Sequence, residues 1–253
     1  MRKFTVILLA LVLMLSMTAC AGLIPTATQG KTEPPKTTAA PTTPSTTEPP
    51  ATTIPATTPP TTVPATEPQI ADNYYVGQTV NNVYTNEFLG ISCQLDDSWM
   101  VYNEEQLAQL AGLTADILDN EKFEQAIEQG VVITAFYAQG QGGAANMNLT
   151  LERLSLINGI LMDEESYVEL AKDQLKTALE TAGCINVSVE PAKFQFADAE
   201  RHGAKVYANL QGVDVYENII CIKNGNYMAC VVVCSAGTDT TESMMAMFRK
   251  LPE

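Results

Sequence analysis

From Tyr75 onward the chain alternates between two hydrophobic rhythms, a period of two and a period near 3.6. The helical rhythm is clearest over 163–181. There Tyr167, Leu170, Ala171, Gln174, Leu175, Ala178 and Ala182 recur at i, i+3 and i+4, and Asp163 stands at the cap position. Helices are also predicted over 103–111 and over 114–129, where Leu113, Ile117, Phe123 and Ile127 form an apolar stripe. A last helix is predicted over 240–250, with Asp239 and Glu242 as a capping box. Strands are predicted over 84–85, 91–95, 131–138, 147–154, 186–190, 192–196, 203–210, 213–222 and 227–235. Successive strands joined by short turns give antiparallel pairing. The expected class is therefore α+β, a mainly antiparallel sheet with helices packed on its faces.

The first 20 residues follow a different logic. Arg2 and Lys3 form a positive start, Phe4 to Met14 is an apolar run, and small residues Thr18 and Ala19 lead into Cys20. The run is too short for a spanning helix and reads as a secretory signal over 1–19. The segment Met17-Thr18-Ala19-Cys20 resembles the lipobox of bacterial lipoproteins, with Met17 where that family usually carries Leu. The resemblance implies that the Cys20 thiol takes a diacylglyceryl group and becomes the mature N-terminus. It implies acyl chains such as palmitate holding the protein on the outer face of the cell membrane, as on a Gram-positive-type cell surface. Each buried methylene contributes about 0.8 kcal/mol, so two or three chains anchor firmly.

Between Pro25 and Pro68 the composition changes again. These 44 residues hold 12 of the 14 prolines and 16 threonines, and no aromatic residue. Such a chain cannot bury enough apolar surface to offset its ordering entropy. Residues 20–74 are thus expected to be a lipidated terminus followed by a disordered tether. In extended polyproline II form the 44 residues reach on the order of 130 Å. The tether reads as a spacer through a cell wall, with or without O-glycans on its threonines.

The stretch from 75 to 253 has ordinary globular composition and suits one domain. From Ile70 it carries 26 acidic against 10 basic residues, a net charge of −16. Such a field disfavours nucleic acid and anionic headgroups, and is compatible with a solubilising surface, a cationic partner or a divalent metal.

Three short motifs then suggest a family. Tyr84-x-Asn86, Phe88-x-Gly90-Ile91, and Trp99 after an acidic turn resemble the opening of PsbP-like α/β/α sandwich domains, although Asp96-Asp97-Ser98 stands where that family often has Pro-x-Gly. The resemblance covers about 84–251. It implies a sandwich fold with a binding or assembly role, and supplies no catalytic residues.

Candidate chemistry is sparse. Five cysteines remain after Cys20 (Cys93, Cys184, Cys221, Cys230 and Cys234), an odd number that excludes complete internal pairing. If Asn224-Gly225 is a two-residue hairpin turn, Cys221 faces Met228 and Cys230 lies diagonally, a marginal position for a disulfide. Buried free thiols fit the apolar surroundings better, and zinc lacks both a C-x2-C pair and a second histidine beside His202. Gly140-Gln141-Gly142-Gly143 is followed by strand-forming residues and reads as a hairpin loop, not a phosphate cradle. His202 is expected in an exposed turn. Asp96-Asp97 and Asp163-Glu164-Glu165 read as turn and cap residues, since neither has calcium-loop spacing. Met244, Met247, Phe248 and Leu251 share a helical face and read as core, with Met245 outward. Trp99 is expected to close the core. The sequons at Asn148 and Asn186 carry little weight in a bacterial lipoprotein.

No catalytic, cofactor or metal residue is assigned on this reading, and Cys20 is the single site residue. The expected function is a cell-surface lipoprotein presenting an acidic, non-catalytic domain for an envelope or extracellular protein. The alternative is an extracytoplasmic module for a small molecule or metal.

Overall fold

The computed structural model describes residues 74–110, 120–140, 142–155, 159 and 161–252. Cys20, the Thr/Pro-rich segment, Leu113 and Ile117 lie outside them. In chain order the elements are β1 Gln78–Val80, β2 Val83–Asn86, β3 Ile91–Gln94, β4 Trp99–Val101, α1 Glu104–Leu110, α2 Asn120–Glu128, β5 Ile133–Gly140 and β6 Ala145–Arg153. There follow α3 Glu164–Thr181, β7 Ile185–Phe196, β8 Ala199–Leu210, β9 Val213–Asn224, β10 Tyr227–Ala236, α4 Thr241–Met245 and β11 Phe248–Lys250. The fold is α+β with antiparallel sheets. A seven-stranded sheet runs β4-β5-β6-β10-β9-β8-β7, and a four-stranded sheet runs β1-β2-β3-β11.

The large sheet is buried on both faces at its centre, which explains why β10 reads as an unbroken apolar run. Met228, Cys230, Val232 and Cys234 point to one side, where they meet Tyr167, Val168, Ala171 and Leu175 of α3. Ala229, Val231 and Val233 point to the other, into a core shared with Tyr84, Cys93, Phe123, Ile127 and Phe248. The small sheet and the helices α1, α2 and α4 thus contribute to one core, and α3 to the other. The small sheet was not anticipated from the sequence pattern.

Local chemistry fixes the turns. Asn81 and Asn82, and again Ala197 and Asp198, have positive φ at both positions, the type I′ geometry that matches strand twist. Between β9 and β10 the closing pair is Asn224↔Tyr227, so the loop is Gly225-Asn226 and not Asn224-Gly225. Only Gly225 of the two has positive φ, which is the type II′ arrangement with glycine first. The register therefore moves, and Cys221 stands directly opposite Cys230 instead of diagonal to it.

Other expectations are corrected in similar ways. The strands foreseen around Pro191 are one strand, β7, because it forms the sheet edge and the missing N–H of Pro191 costs no ladder bond. His202 lies within β8, opposite Lys193, and not in a turn. The final helix is only α4. Phe248 is buried and continues as β11 against Cys93 of β3, so sheet pairing ends the helix. Thr240, not Asp239, is its N-cap, and Asp239 Oδ1 accepts from Thr241 N at 3.0 Å.

Helix α3 starts as expected, with Asp163 accepting from Ser166 N at 2.8 Å. Its buried face is Tyr167, Val168, Ala171, Leu175 and Leu179, while Leu170 is 50% exposed. The cap contributes about 1 kcal/mol. The larger side chains contribute roughly 1.5–3 kcal/mol each on burial, so packing and not capping holds the helix in place.

At Gly203 the strands β8 and β9 approach so closely that a Cβ would lie 1.9 Å from the Ile219 carbonyl oxygen and 2.9 Å from the Phe194 ring. Gly203→Ala is expected to lower stability by on the order of 2–3 kcal/mol in urea unfolding. An unchanged midpoint would mean that the two strands part there without strain.

Candidate functional site

The described surface offers a large recess. A cleft of about 540 Å³ opens between the β1–β2 ribbon and the start of α1. Its floor is apolar, made of Val76, Tyr84, Leu107 and Ala135, all buried. Its walls are polar: Gln78 and Thr79 on one side, Tyr102, Asn103, Glu104 and Glu105 on the other. Lysine and arginine are missing from this lining.

The cleft is framed by a rigid joint. The Tyr84 hydroxyl donates to the Val76 carbonyl at 2.7 Å, while Asn86 Nδ2 donates to the Tyr75 carbonyl and the Tyr84 hydroxyl, both at 3.0 Å. Asn86 Oδ1 in turn accepts from Leu89 N at 2.8 Å. Gly77 is required there, since its φ is +74° and a Cβ would meet the Thr85 carbonyl oxygen at 2.3 Å. On the opposite wall, Asn103 and Gln106 cap α1 reciprocally, each side chain accepting from the other's backbone N at 2.9 Å. Tyr84 and Asn86, on which the family resemblance was read, are thus structural.

A second polar group lies inside the fold. Asn148, Thr150 and Glu152 alternate along β6 on the side that faces α3. Alternating polar positions read as a solvent face, yet Asn148 is fully buried and Thr150 nearly so. Neither amide atom of Asn148 has a hydrogen-bond partner, nor do Glu152 Oε1 and the Tyr167 hydroxyl. Burial pushes the Glu152 carboxyl up to about 7, with the nearby Tyr167 hydroxyl offsetting part of the rise. Tyr167 itself is raised, by burial first and then by Cys230, Glu152 and Cys221.

The start of α3 is clamped to the sheet by Glu164. Its carboxylate accepts from Arg201 Nη1 at 2.9 Å, Lys223 N at 3.0 Å and His202 N at 3.3 Å. His202 Nδ1 lies 3.9 Å from Glu165. A shallower recess of about 190 Å³ beside it is lined by Glu165, Lys193 and His202 among others.

The remaining candidates fall into structural places. Asp96 Oδ1 accepts from Ser98 N at 2.8 Å, closing a turn. The glycine-rich loop joins β5 to β6, a hairpin. Met244 is buried in the core, and Asn218 Nδ2 donates weakly to Met245 Sδ at 3.8 Å. Trp99 packs partly buried against the core that contains Tyr84. All five described cysteines are buried free thiols. Burial pushes Cys93 up to about 12, and Cys221 is raised by its contact with the Cys230 thiol and by burial. Among the described residues no three His, Cys, Asp or Glu side chains are grouped to hold a metal ion.

Sequence reasoning did not find the cleft, because its walls come from segments about 25 residues apart and each reads alone as turn or helix start. It also missed Glu152 and Tyr167, whose only signal was a polar strand face meeting the buried stripe of a helix.

No protein-family model matches the chain, and no curated protein does. Among solved structures it is similar to a crystal structure from Bacteroides thetaiotaomicron VPI-5482. The identity is 10%, the TM-score 0.30, and the match covers 65% of this chain and 46% of that one.

Glu152 yields a test of the buried group. Its folded value of about 7 lies above the ordinary 4.5, so the protonated fold is favoured. That contribution is complete below the unfolded value and is lost as pH rises through the folded one. Stability should fall by on the order of 3 kcal/mol across this window from this group alone. Urea unfolding of the wild type and of Glu152→Gln at pH 5 and pH 8 should show a smaller decline in the variant. Parallel declines would place the carboxyl in contact with water.

Proposed function

We propose that the chain is a lipid-anchored cell-surface protein whose acidic domain binds an envelope or extracellular protein and performs no catalysis. The observation that carries this reading is the order of the N-terminal segments: Arg2-Lys3, an apolar run, Cys20, then the 44-residue Thr/Pro-rich spacer. The spacer gives a membrane-held domain the reach to meet partners beyond the membrane surface. The net charge of −16 from Ile70 onward favours basic partners and disfavours nucleic acid. The thiols support a non-catalytic role: held protonated by burial at Cys93 and Cys184, they are poor nucleophiles. Part of the proposal is that the domain belongs with the PsbP-like sandwiches. In cells, Cys20→Ala should move the protein from the membrane fraction to the soluble fraction. Persistence of the variant on membranes would overturn the anchor.

The cleft favours a second reading, a small-molecule module. Its volume of about 540 Å³ falls in the range of ligand pockets, roughly 300–1,000 Å³. An apolar floor beneath a rim of Glu104 and Glu105 suits a compact ammonium with a short hydrocarbon body. On this reading pentylamine should bind, pentanol should bind far more weakly, and the double change Glu104→Gln, Glu105→Gln should weaken pentylamine by about tenfold. Titration of the soluble domain followed by amide chemical shifts at Gly77 and Ala135 gives the measurement. Equal shifts with the amine and the alcohol would remove the cationic preference.

A further inference from the structure

The corrected register of the β9–β10 hairpin changes what its cysteines can do. Cys221 and Cys230 are direct partners across the two strands. In a two-residue hairpin the pair that closes the loop, here Asn224↔Tyr227, exchanges both backbone hydrogen bonds. Pairs then alternate, so 222↔229 is hydrogen-bonded and Cys221↔Cys230 is not. Non-hydrogen-bonded partners stand with Cα atoms about 4.5 Å apart, within the roughly 4.4–6.8 Å that a disulfide spans. Both side chains point to the same face, the one covered by α3.

The geometry points to a Cys221–Cys230 disulfide in the exported protein, leaving Cys93, Cys184 and Cys234 as thiols. The oxidant is a reactive disulfide of the thiol–disulfide exchange class. One cysteine thiolate attacks it and forms a mixed disulfide, releasing one thiolate of the oxidant. The second cysteine thiolate then attacks the mixed disulfide, forming the Cys221–Cys230 bond and releasing the other. Two S–H protons leave the protein, two electrons pass to the oxidant, and its disulfide becomes a pair of thiols. Because Cys221 is 1% and Cys230 4% exposed, the exchange belongs to the folding chain, before α3 closes over the strands. Once α3 is docked, the same burial shields the bond from reductant.

The test uses the full chain recovered from membranes of cells quenched in acid, so that no exchange follows lysis. Free thiols are blocked with N-ethylmaleimide, and the protein is digested without reductant. Cleavage at Lys205, Lys223 and Arg249 separates the two cysteines of the pair. The expected result is one linked species joining the peptide of Cys221 to that of Cys230, two hydrogen masses lighter than its parts. Cys234, on the same peptide as Cys230, should carry the maleimide. Cys221→Ser should abolish the linked species. Maleimide on both Cys221 and Cys230 in the wild type, or a link through Cys93, Cys184 or Cys234, would overturn the assignment.

Discussion

The structure depends on burying both faces of β9 and β10. Alternate residues of each strand enter different cores, so neither strand has a side it can leave to water. A sheet with that composition needs a layer on each side. The chain supplies α3 between β6 and β7 for one face, and for the other a second sheet built from both ends of the domain. Phe248 shows how tightly that second layer is tied. It leaves α4, pairs with Cys93 at the far end of the sequence and enters the same core as Val231 and Val233. The C-terminal segment is thus a strand because the face it covers demands one, although its local pattern is helical.

The same requirement accounts for the polar costs beneath α3. Covering the face of β9 and β10 also shuts in the neighbouring strand β6, whose residues on that side are Asn146, Asn148, Thr150 and Glu152. A buried carboxylate without a cationic partner is expensive, and the group responds by holding its proton. Glu164, only one turn from Tyr167, shows the opposite solution. Its carboxylate meets a guanidinium and two backbone N–H groups, and so fixes the end of the helix to β8 and β9. Two acids near the same helix end therefore do different work: one fastens the helix to the sheet, the other lies beneath it with its carboxyl pushed up by burial.

The class of the fold was legible because periodicity survives in single elements. The 163–181 helix, its Asp163 cap and the long strands of the β7–β10 meander are all local signals. What was not legible depended on partners distant in sequence. Leu170 and Val168 compete for the buried face of α3, and only the position of the sheet decides between them. The hairpin register hung on which two residues made the loop: Asn-Gly and Gly-Asn are both good turns, and the choice of Gly225 as the single left-handed residue moved every partner by two. Of the candidate sites, the turn role of Asp96 and the cap role of Asp163 were readable. The cleft was not, because Gln78 and Glu104 carry no mark of their shared recess.

These constraints also separate the parts of the molecule that are free to carry function. The centre of the large sheet is committed to packing on both faces, and a group introduced there meets either α3 or the second core. The cleft lies away from it, between the β1–β2 ribbon and a helix of two turns, with walls of mostly exposed polar residues over a buried floor. Its shape is set by Tyr84, Asn86 and Gly77, while its charge is set by Glu104 and Glu105, which take no part in that joint. Shape and charge are therefore separable: the joint residues cannot change without moving the β1–β2 ribbon, whereas the rim carboxylates can change with little cost to the fold. A recess built in this way can alter what it recognises while the sheet beneath it stays fixed.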